Sequence, residues 1–236
     1  MFYAARLCNC LMQCSGLKQE CKWDNTQMND SLRSREQDAG QATGAQGGAA
    51  PACAAGPGMS LPYDKPVFLV GMMGAGKTTI GRALAKALGR EFVDLDLALE
   101  ARCGVRVALI FEIEGEAGFR RRETQMLDHY SRQPGIVLAT GGGAVLADEN
   151  RRYLKERGVV VYLQAEAAEL YRRVARDRNR PLLQTADPKA RLAELLEQRH
   201  PLYKEVASLT FETGDMPVQQ AVRSLIALLK NHEAKP

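Results

Sequence analysis

The chain has no apolar run long enough to span a bilayer, which excludes an integral membrane protein anchored by helices. Its N-terminus lacks a basic start followed by an apolar core, so it does not read as a secretory signal. It is not poor in acids either, as a transit peptide would be: the first 58 residues hold five acidic and five basic side chains. Cysteine is almost missing from the body of the chain. Five of the six lie in the first 53 residues, and only Cys103 follows. That excludes a disulfide scaffold downstream and fits a reducing compartment, read here as cytoplasmic. No histidine lies near Cys8, Cys10 and Cys14, and their spacing matches no common zinc pattern, so the run supports no metal assignment. The net charge of +4 is too small to argue for a nucleic-acid partner. Its surplus lies wholly beyond residue 58, and suits an enzyme that handles anionic substrates.

Residues 1–58 show no sustained periodicity. The stretch from Gly40 to Gly58 is rich in Gly, Ala, Gln and Pro, a composition that cannot bury a core. This segment reads as a disordered low-complexity extension, or as a start placed too far upstream of Met59. The folded part is expected over residues 59–236.

The chain is organised around Gly71-Met-Met-Gly-Ala-Gly76-Lys77-Thr78-Thr79. It follows an apolar, β-branched run, Pro66 to Val70, and precedes a helical run, Ile80 to Leu88, that Gly89 ends. Strand, glycine loop and helix are the context of a phosphate-binding loop, G-x-x-x-x-G-K-[ST]. Gly74, Ala75, Gly76, Lys77, Thr78 and Thr79 are the candidate phosphate-binding residues. The backbone N–H groups face phosphate oxygens, and the helix N-terminus adds positive partial charge. Lys77 is placed to reach the β- and γ-phosphates of a nucleotide, and the Thr78 hydroxyl to ligate Mg²⁺.

Glu91 to Asp96 reads as a short strand ending in alternate carboxylates, Asp94 and Asp96. Residues two apart on a strand share a face, and a strand's C-terminal end is where an open α/β sheet binds ligands. Asp94 is therefore a candidate for the metal, and Asp96 for a substrate hydroxyl, as a base. The competing reading is a helix N-cap, because Leu97 to Arg102 looks helical. Residues 105–130 read as a short helix, a break at Gly115, and a longer helix to about Tyr130. Arg120, Arg121 and Arg122 are consecutive on it, so they diverge around the helix and spacing does not say which one faces a site. Glu116 and Arg120 form an i,i+4 pair.

Gly135 to Thr140 is a buried strand that runs into Gly141, Gly142 and Gly143, a loop that exposes backbone donors to a ligand. Helices follow over Asp148–Arg157 and Ala165–Arg176, with a buried strand, Val159–Leu163, between them. The basic, proline-flanked stretch of about 176–188 reads as a lid that excludes water. A helix over Pro188–Tyr203, a strand over Ser208–Glu212 and an amphipathic helix over Pro217–Lys230 complete the pattern. This alternation predicts a parallel sheet with helices on both faces. A GTPase switch would need an Asn-Lys-x-Asp motif, which is missing. A mechanical ATPase would need an acidic end to a strand such as Val159–Leu163, where Gln164 stands instead.

Taken together, residues 62–230 resemble the shikimate kinases. The resemblance rests on several motifs in one order: Gly-Met-Met-Gly-Ala-Gly-Lys-Thr-Thr, Phe-Val-Asp-Leu-Asp, Ile-Phe-Glu-Ile-Glu-Gly-Glu-Ala-Gly-Phe-Arg, Ala-Thr-Gly-Gly-Gly-Ala-Val, Arg-Asp-Arg-Asn-Arg-Pro-Leu-Leu and Arg-His-Pro-Leu-Tyr. The first is generic to P-loop proteins; the set is specific. It implies a P-loop fold of the nucleoside monophosphate kinase type, with a five-stranded parallel sheet in the order 2-3-1-4-5. It implies phosphoryl transfer from ATP to the 3-hydroxyl of shikimate, in the route to chorismate and the aromatic amino acids, with Mg²⁺ as cofactor. Of the three arginines it selects Arg120, which with Arg199 and the glycine-loop backbone would bind the shikimate carboxylate. Asp96 would hold the ring hydroxyls and serve as base, and Asp94 would serve the metal shell. Arg180 would be the lid arginine on the ATP phosphates, and Arg176 would pack on the adenine. The partners expected are ATP and shikimate, without nucleic acid or membrane, on a monomer.

Overall fold

The computed structural model describes Leu61, residues 63–175, Leu183 and residues 185–233. The expectations for residues 1–58, for Arg176 and Arg180, and for most of the basic stretch fall outside the described residues.

Five short strands form one parallel sheet: β1 (Val67–Val70), β2 (Glu91–Asp94), β3 (Ile136–Ala139), β4 (Val159–Gln164) and β5 (Leu209–Glu212), in the order β2-β3-β1-β4-β5. This is the expected order. β1 lies at the centre, with Leu69 opposite Ala139 on one side and Val161 on the other. Both faces of the central strands are buried, which is why they read as unbroken apolar runs. The side chains alternate. Val67 and Leu69 join one core with Val161 and Leu163, while Phe68 and Val70 join the opposite one with Val160 and Tyr162.

The helices divide between these cores. On the first face lie α1 (Lys77–Leu88) and α7 (Val218–Glu233), through Leu84, Leu88, Leu225 and Leu229, and α5 (Ala167–Val174), through Leu170 and Val174. On the second lie α2 (Leu95–Cys103), α3 (Val107–Tyr130) and α4 (Asp148–Arg157), through Leu99, Phe119, Leu127 and Leu154. The long helix α6 (Pro188–Val206) contributes to both, with Leu192 and Leu195 in the first core and Tyr203 and Val206 in the second. Among the described residues, no helix is long and apolar enough to cross a membrane.

Several boundaries differ from the sequence reading. α1 starts at Lys77 rather than Ile80, because Gly76 ends the loop in the left-handed region (φ 92°) and hands the chain directly to the helix. β2 stops at Asp94 instead of Asp96. Leu95 is fully buried and opens α2, so Asp96 stands in the first turn of a helix, not on a strand. α5 starts at Ala167, two residues later than expected. The break at Gly115 is present: its φ of 68° and ψ of −178° interrupt α3 in a conformation that glycine adopts without strain.

Candidate active site

The phosphate loop connects β1 to α1 across the top of the sheet. Its turn is closed by Ala75 N–H donating to the Met72 carbonyl at 3.1 Å, and Gly76 accepts the first helical bond from Ile80 at 2.8 Å. The first turn of α1 carries no acidic residue, so the positive end of the helix dipole is not offset there. Lys77 bends over the loop and donates from Nζ to the Gly71 carbonyl (2.8 Å) and the Met72 carbonyl (3.0 Å). An ammonium held above a cradle of N–H groups suits a polyanion such as a phosphate chain.

The helix-cap reading of Asp94 is present in the fold. Its Oδ1 caps α2 by accepting from Asp96 N–H (3.2 Å) and Leu97 N–H (3.3 Å). Its Oδ2 accepts from the Thr78 hydroxyl at 2.7 Å. The cap locks the carboxylate and leaves one oxygen turned toward the phosphate loop. Two oxygen donors thus meet at the mouth of the loop, which is the hard donor chemistry that Mg²⁺ prefers. Asp96 reaches the same place by helical geometry: with Asp94 it lines a cleft of about 520 Å³ shared with Lys77, Thr78, Thr140 and Gly142.

The glycine loop follows β3. It joins this cleft to a second charged group, made by α3 and α6, whose arginines are not among the residues lining the cleft. Arg120 donates from Nη1 to Glu123 Oε2 at 2.6 Å and from Nη2 to Glu116 Oε1 at 3.0 Å. Its guanidinium presses on Gly143, where a Cβ would meet Nη2 at 2.2 Å. Arg199 is 3% exposed and donates from Nη1 to the Gly142 carbonyl at 3.3 Å. Its Nε is buried with no hydrogen-bond partner. A buried donor without an acceptor is costly unless a ligand completes it. Gly142 itself touches both halves: a Cβ there would lie 3.5 Å from Met73 N and 3.8 Å from Arg199 Nη1. Of the neighbouring arginines, Arg122 is tied to Glu114 at 2.6 Å and Arg121 is exposed.

Three participants were not singled out in the sequence. Glu123 is 1% exposed, between Arg120 and Asp96, and its Oε1 has no partner. A Cβ on Gly141 would meet that oxygen at 2.3 Å and Asp96 Oδ1 at 3.1 Å. A signal existed: Glu123 interrupts the apolar stripe of Phe119, Met126 and Leu127. Arg173 lines the cleft on α5, donating to the Gly74 carbonyl (3.2 Å), Thr213 Oγ1 (3.2 Å) and the Gly214 carbonyl (2.7 Å). It ties the phosphate loop to the turn after β5, and nothing local distinguished it from Arg172. Tyr203, one turn beyond Arg199 on α6, donates to the Gly142 carbonyl.

Burial pushes the Glu123 carboxyl up to about 7, partly opposed by Arg120 and reinforced by Asp96. Because the folded value lies above the ordinary one of about 4.5, the folded state binds this proton more tightly. The associated stabilisation is full below about pH 4.5 and is lost as pH rises through about 7, a change of about 3 kcal/mol. Glu123→Gln should therefore gain stability relative to the parent chain between about pH 5 and about pH 8, read by urea unfolding. A difference that stays constant over that range contradicts it.

A parallel sheet in this order, a phosphate loop under a lysine, and an acidic pair beside a glycine loop define a P-loop kinase for small molecules. A family model described as shikimate kinase matches residues 73–230. The chain is 64% identical over 175 residues to the shikimate kinase of Bordetella avium, covering 74% of this chain and 84% of that one. It is 62% identical over 194 residues to that of Bordetella pertussis, covering 81% and 92%. Among solved structures, shikimate kinase from Acinetobacter baumannii in complex with shikimate superposes with a TM-score of 0.71 at 45% identity, covering 75% of this chain and 97% of that one. The chain belongs to the shikimate kinase family.

Proposed function

We propose that this enzyme transfers the γ-phosphoryl group of ATP to the 3-hydroxyl of shikimate, with Asp96 as the base at the seam of a two-substrate site. The carrying observation is the glycine loop. Gly141 to Gly143 touch Asp96, Arg199 and Arg120 in turn, and Gly142 also abuts the phosphate loop. A hydroxylated acid held there by its carboxylate presents its ring to Asp96 and its reacting hydroxyl to the nucleotide.

The roles follow from chemistry. Gly74 to Thr79 cradle the phosphates, and Lys77 moves from the loop carbonyls onto the β- and γ-oxygens. Thr78 and Asp94 would hold Mg²⁺, which when bound neutralises charge on the phosphate chain. Arg173 fixes the wall between the phosphate loop and the turn after β5, where the rest of the nucleotide lies. Arg120 and Arg199 grip the carboxylate from two sides, and the partnerless Arg199 Nε gains an acceptor. Asp96 takes the proton from the attacking hydroxyl. Phosphoryl transfer asks for alignment and charge neutralisation more than for covalent help, and this arrangement supplies both. Arg180 from the lid completes the charge around the transferring group, and Arg176 covers the base.

We further assign the activity to residues 59–236 and place the enzyme in the cytoplasm as a monomer. The cysteine-poor body supports the compartment. The large exposed apolar side chains (Leu97, Ile113, Leu146, Val218 and Leu228) are few among the described residues, which supports the monomer.

An assay of ADP release with Mg²⁺ and a panel of acceptors tests the proposal, using the full chain and one begun at Met59. Shikimate should be used in preference to gluconate and nucleoside monophosphates, at equal rates by both chains. Preference for another acceptor would overturn the substrate, and loss of activity in the shorter chain the domain boundary.

A further inference from the structure

We propose that Tyr203 is a positioning residue for acceptor binding. Its hydroxyl anchors the Gly142 carbonyl, and so sets the glycine loop against the Arg199 guanidinium. This inference rests on the reading above, in which Arg199 and the glycine loop hold the shikimate carboxylate.

Three successive glycines give this loop great backbone freedom. Its own turn bonds, from Ala144 N–H to the Gly141 carbonyl at 3.2 Å and from Leu146 N–H to the Gly143 carbonyl at 3.0 Å, hold its two flanks and leave the Gly142 carbonyl to be held from outside. α6 provides the anchor. Arg199 and Tyr203 are four residues apart, hence on one face, and both point inward, at 3% and 0% exposure. Their polar ends converge on one atom: Tyr203 Oη and Arg199 Nη1 both donate to the Gly142 carbonyl, using its two lone pairs. The Arg199 contact is long, at 3.3 Å, so the phenol is the closer donor. The hydroxyl also neighbours the Arg199 side chain, which can only donate, and Met72 Sδ at 3.8 Å, a weak acceptor that does not compete.

The ring cannot swing away. It stacks on Tyr162 of β4, with centroids 5.0 Å apart and planes 23° from parallel. Tyr162 is itself held, its hydroxyl bonded to His200 Nδ1 at 2.9 Å. Burial pushes the Tyr203 phenol up, so it keeps its proton and remains a donor at any pH where the enzyme works.

The peptide that carries the Gly142 carbonyl also carries the Gly143 N–H, and a planar trans unit points the two in opposite directions. Fixing the oxygen therefore aims the N–H. The same peptide sits between the phosphate loop at Met73 and the Arg120 guanidinium at Gly143. One hydroxyl thus sets the relative placement of both carboxylate-binding arginines and the loop between them.

The test is Tyr203→Phe in the full-length enzyme, which keeps the ring and its stack and removes the hydroxyl. We expect the KM for shikimate to rise about fivefold to tenfold, the worth of one buried hydrogen bond, with kcat and the KM for ATP within about twofold. Tyr162→Phe, whose hydroxyl faces His200, should leave both KM values within about twofold. The split between a raised KM for shikimate and an unchanged KM for ATP is the readout that a merely structural role would not move, and an Arg199→Ala background checks the shared carbonyl. Because the two donors share one carbonyl, the effects of Tyr203→Phe and Arg199→Ala on kcat/KM for shikimate should not be additive. An unchanged KM for shikimate, an equal rise for both substrates, an equal effect of Tyr162→Phe, or simple additivity would each overturn the proposal. No turnover of shikimate by the unaltered enzyme would instead overturn the reading of the reaction, and this inference with it.

Discussion

Asp96→Asn is expected to lower kcat by about two to four orders of magnitude while leaving the KM for ATP within about twofold. The amide has the shape of the carboxylate and keeps a hydrogen bond to the acceptor hydroxyl, but it cannot take its proton. Ground-state binding therefore survives, and the loss falls on the chemical step. The site makes Asp96 hard to replace. It stands in the first turn of α2, and near it lies the buried Glu123, whose carboxyl burial pushes up toward neutrality. Steady-state kinetics with each substrate varied in turn measures the outcome. Unchanged turnover in Asp96→Asn would remove Asp96 from the reaction.

Arg120→Ala is expected to act on binding instead. Loss of a charge-assisted contact to the acceptor carboxylate should raise the KM for shikimate by about tenfold to a hundredfold, with a smaller change in kcat and none in the KM for ATP. The variant also strips Glu123 of its partner at 2.6 Å. With Arg120 gone, burial and Asp96 oppose ionisation and only Arg199 still favours it, so Glu123 should hold its proton more tightly than in the parent enzyme. That second effect is separable. In the double variant Arg120→Ala with Glu123→Gln, the proton no longer contributes, and the remaining rise in KM belongs to the lost contact with substrate. An Arg120→Ala enzyme that bound only ATP more weakly would place the acceptor in a different pocket.

Much of this was legible in the sequence because it is local. The buried strands β1, β3 and β4 are unbroken apolar runs, and a parallel sheet covered on both faces requires that. The phosphate loop announces itself by glycines at positions that side chains cannot occupy, and Gly115 by the break it makes in α3. The carboxylate pair was the instructive failure. Asp94 and Asp96 fit a strand's period of two, yet Asp94 caps a helix and Asp96 belongs to it. Period and cap compete for the same short stretch, and the burial of Leu95 decides between them, a fact of tertiary packing that the local pattern does not contain. Both carboxylates still reach the cleft, by a different geometry from the one first inferred.

The rest was illegible because it depends on distant partners. Tyr203 matters through Gly142, sixty-one residues away in sequence, and Arg173 through Gly74, at a separation of ninety-nine. Neither helix shows in its own spacing which residue will meet a loop from elsewhere. Among Arg120, Arg121 and Arg122, spacing left the choice open and only the family resemblance pointed to Arg120, which lies against Gly143 while Arg122 folds back on Glu114.

The identity of the product is the most direct measurement. The full chain, incubated with ATP, Mg²⁺ and shikimate, should give one phosphate ester of shikimate, at the 3-hydroxyl, in step with ADP, resolved by phosphorus NMR. ADP released at the same rate without shikimate, or phosphate found on no acceptor, would contradict a site in which Asp96 joins a nucleotide to a hydroxylated acid.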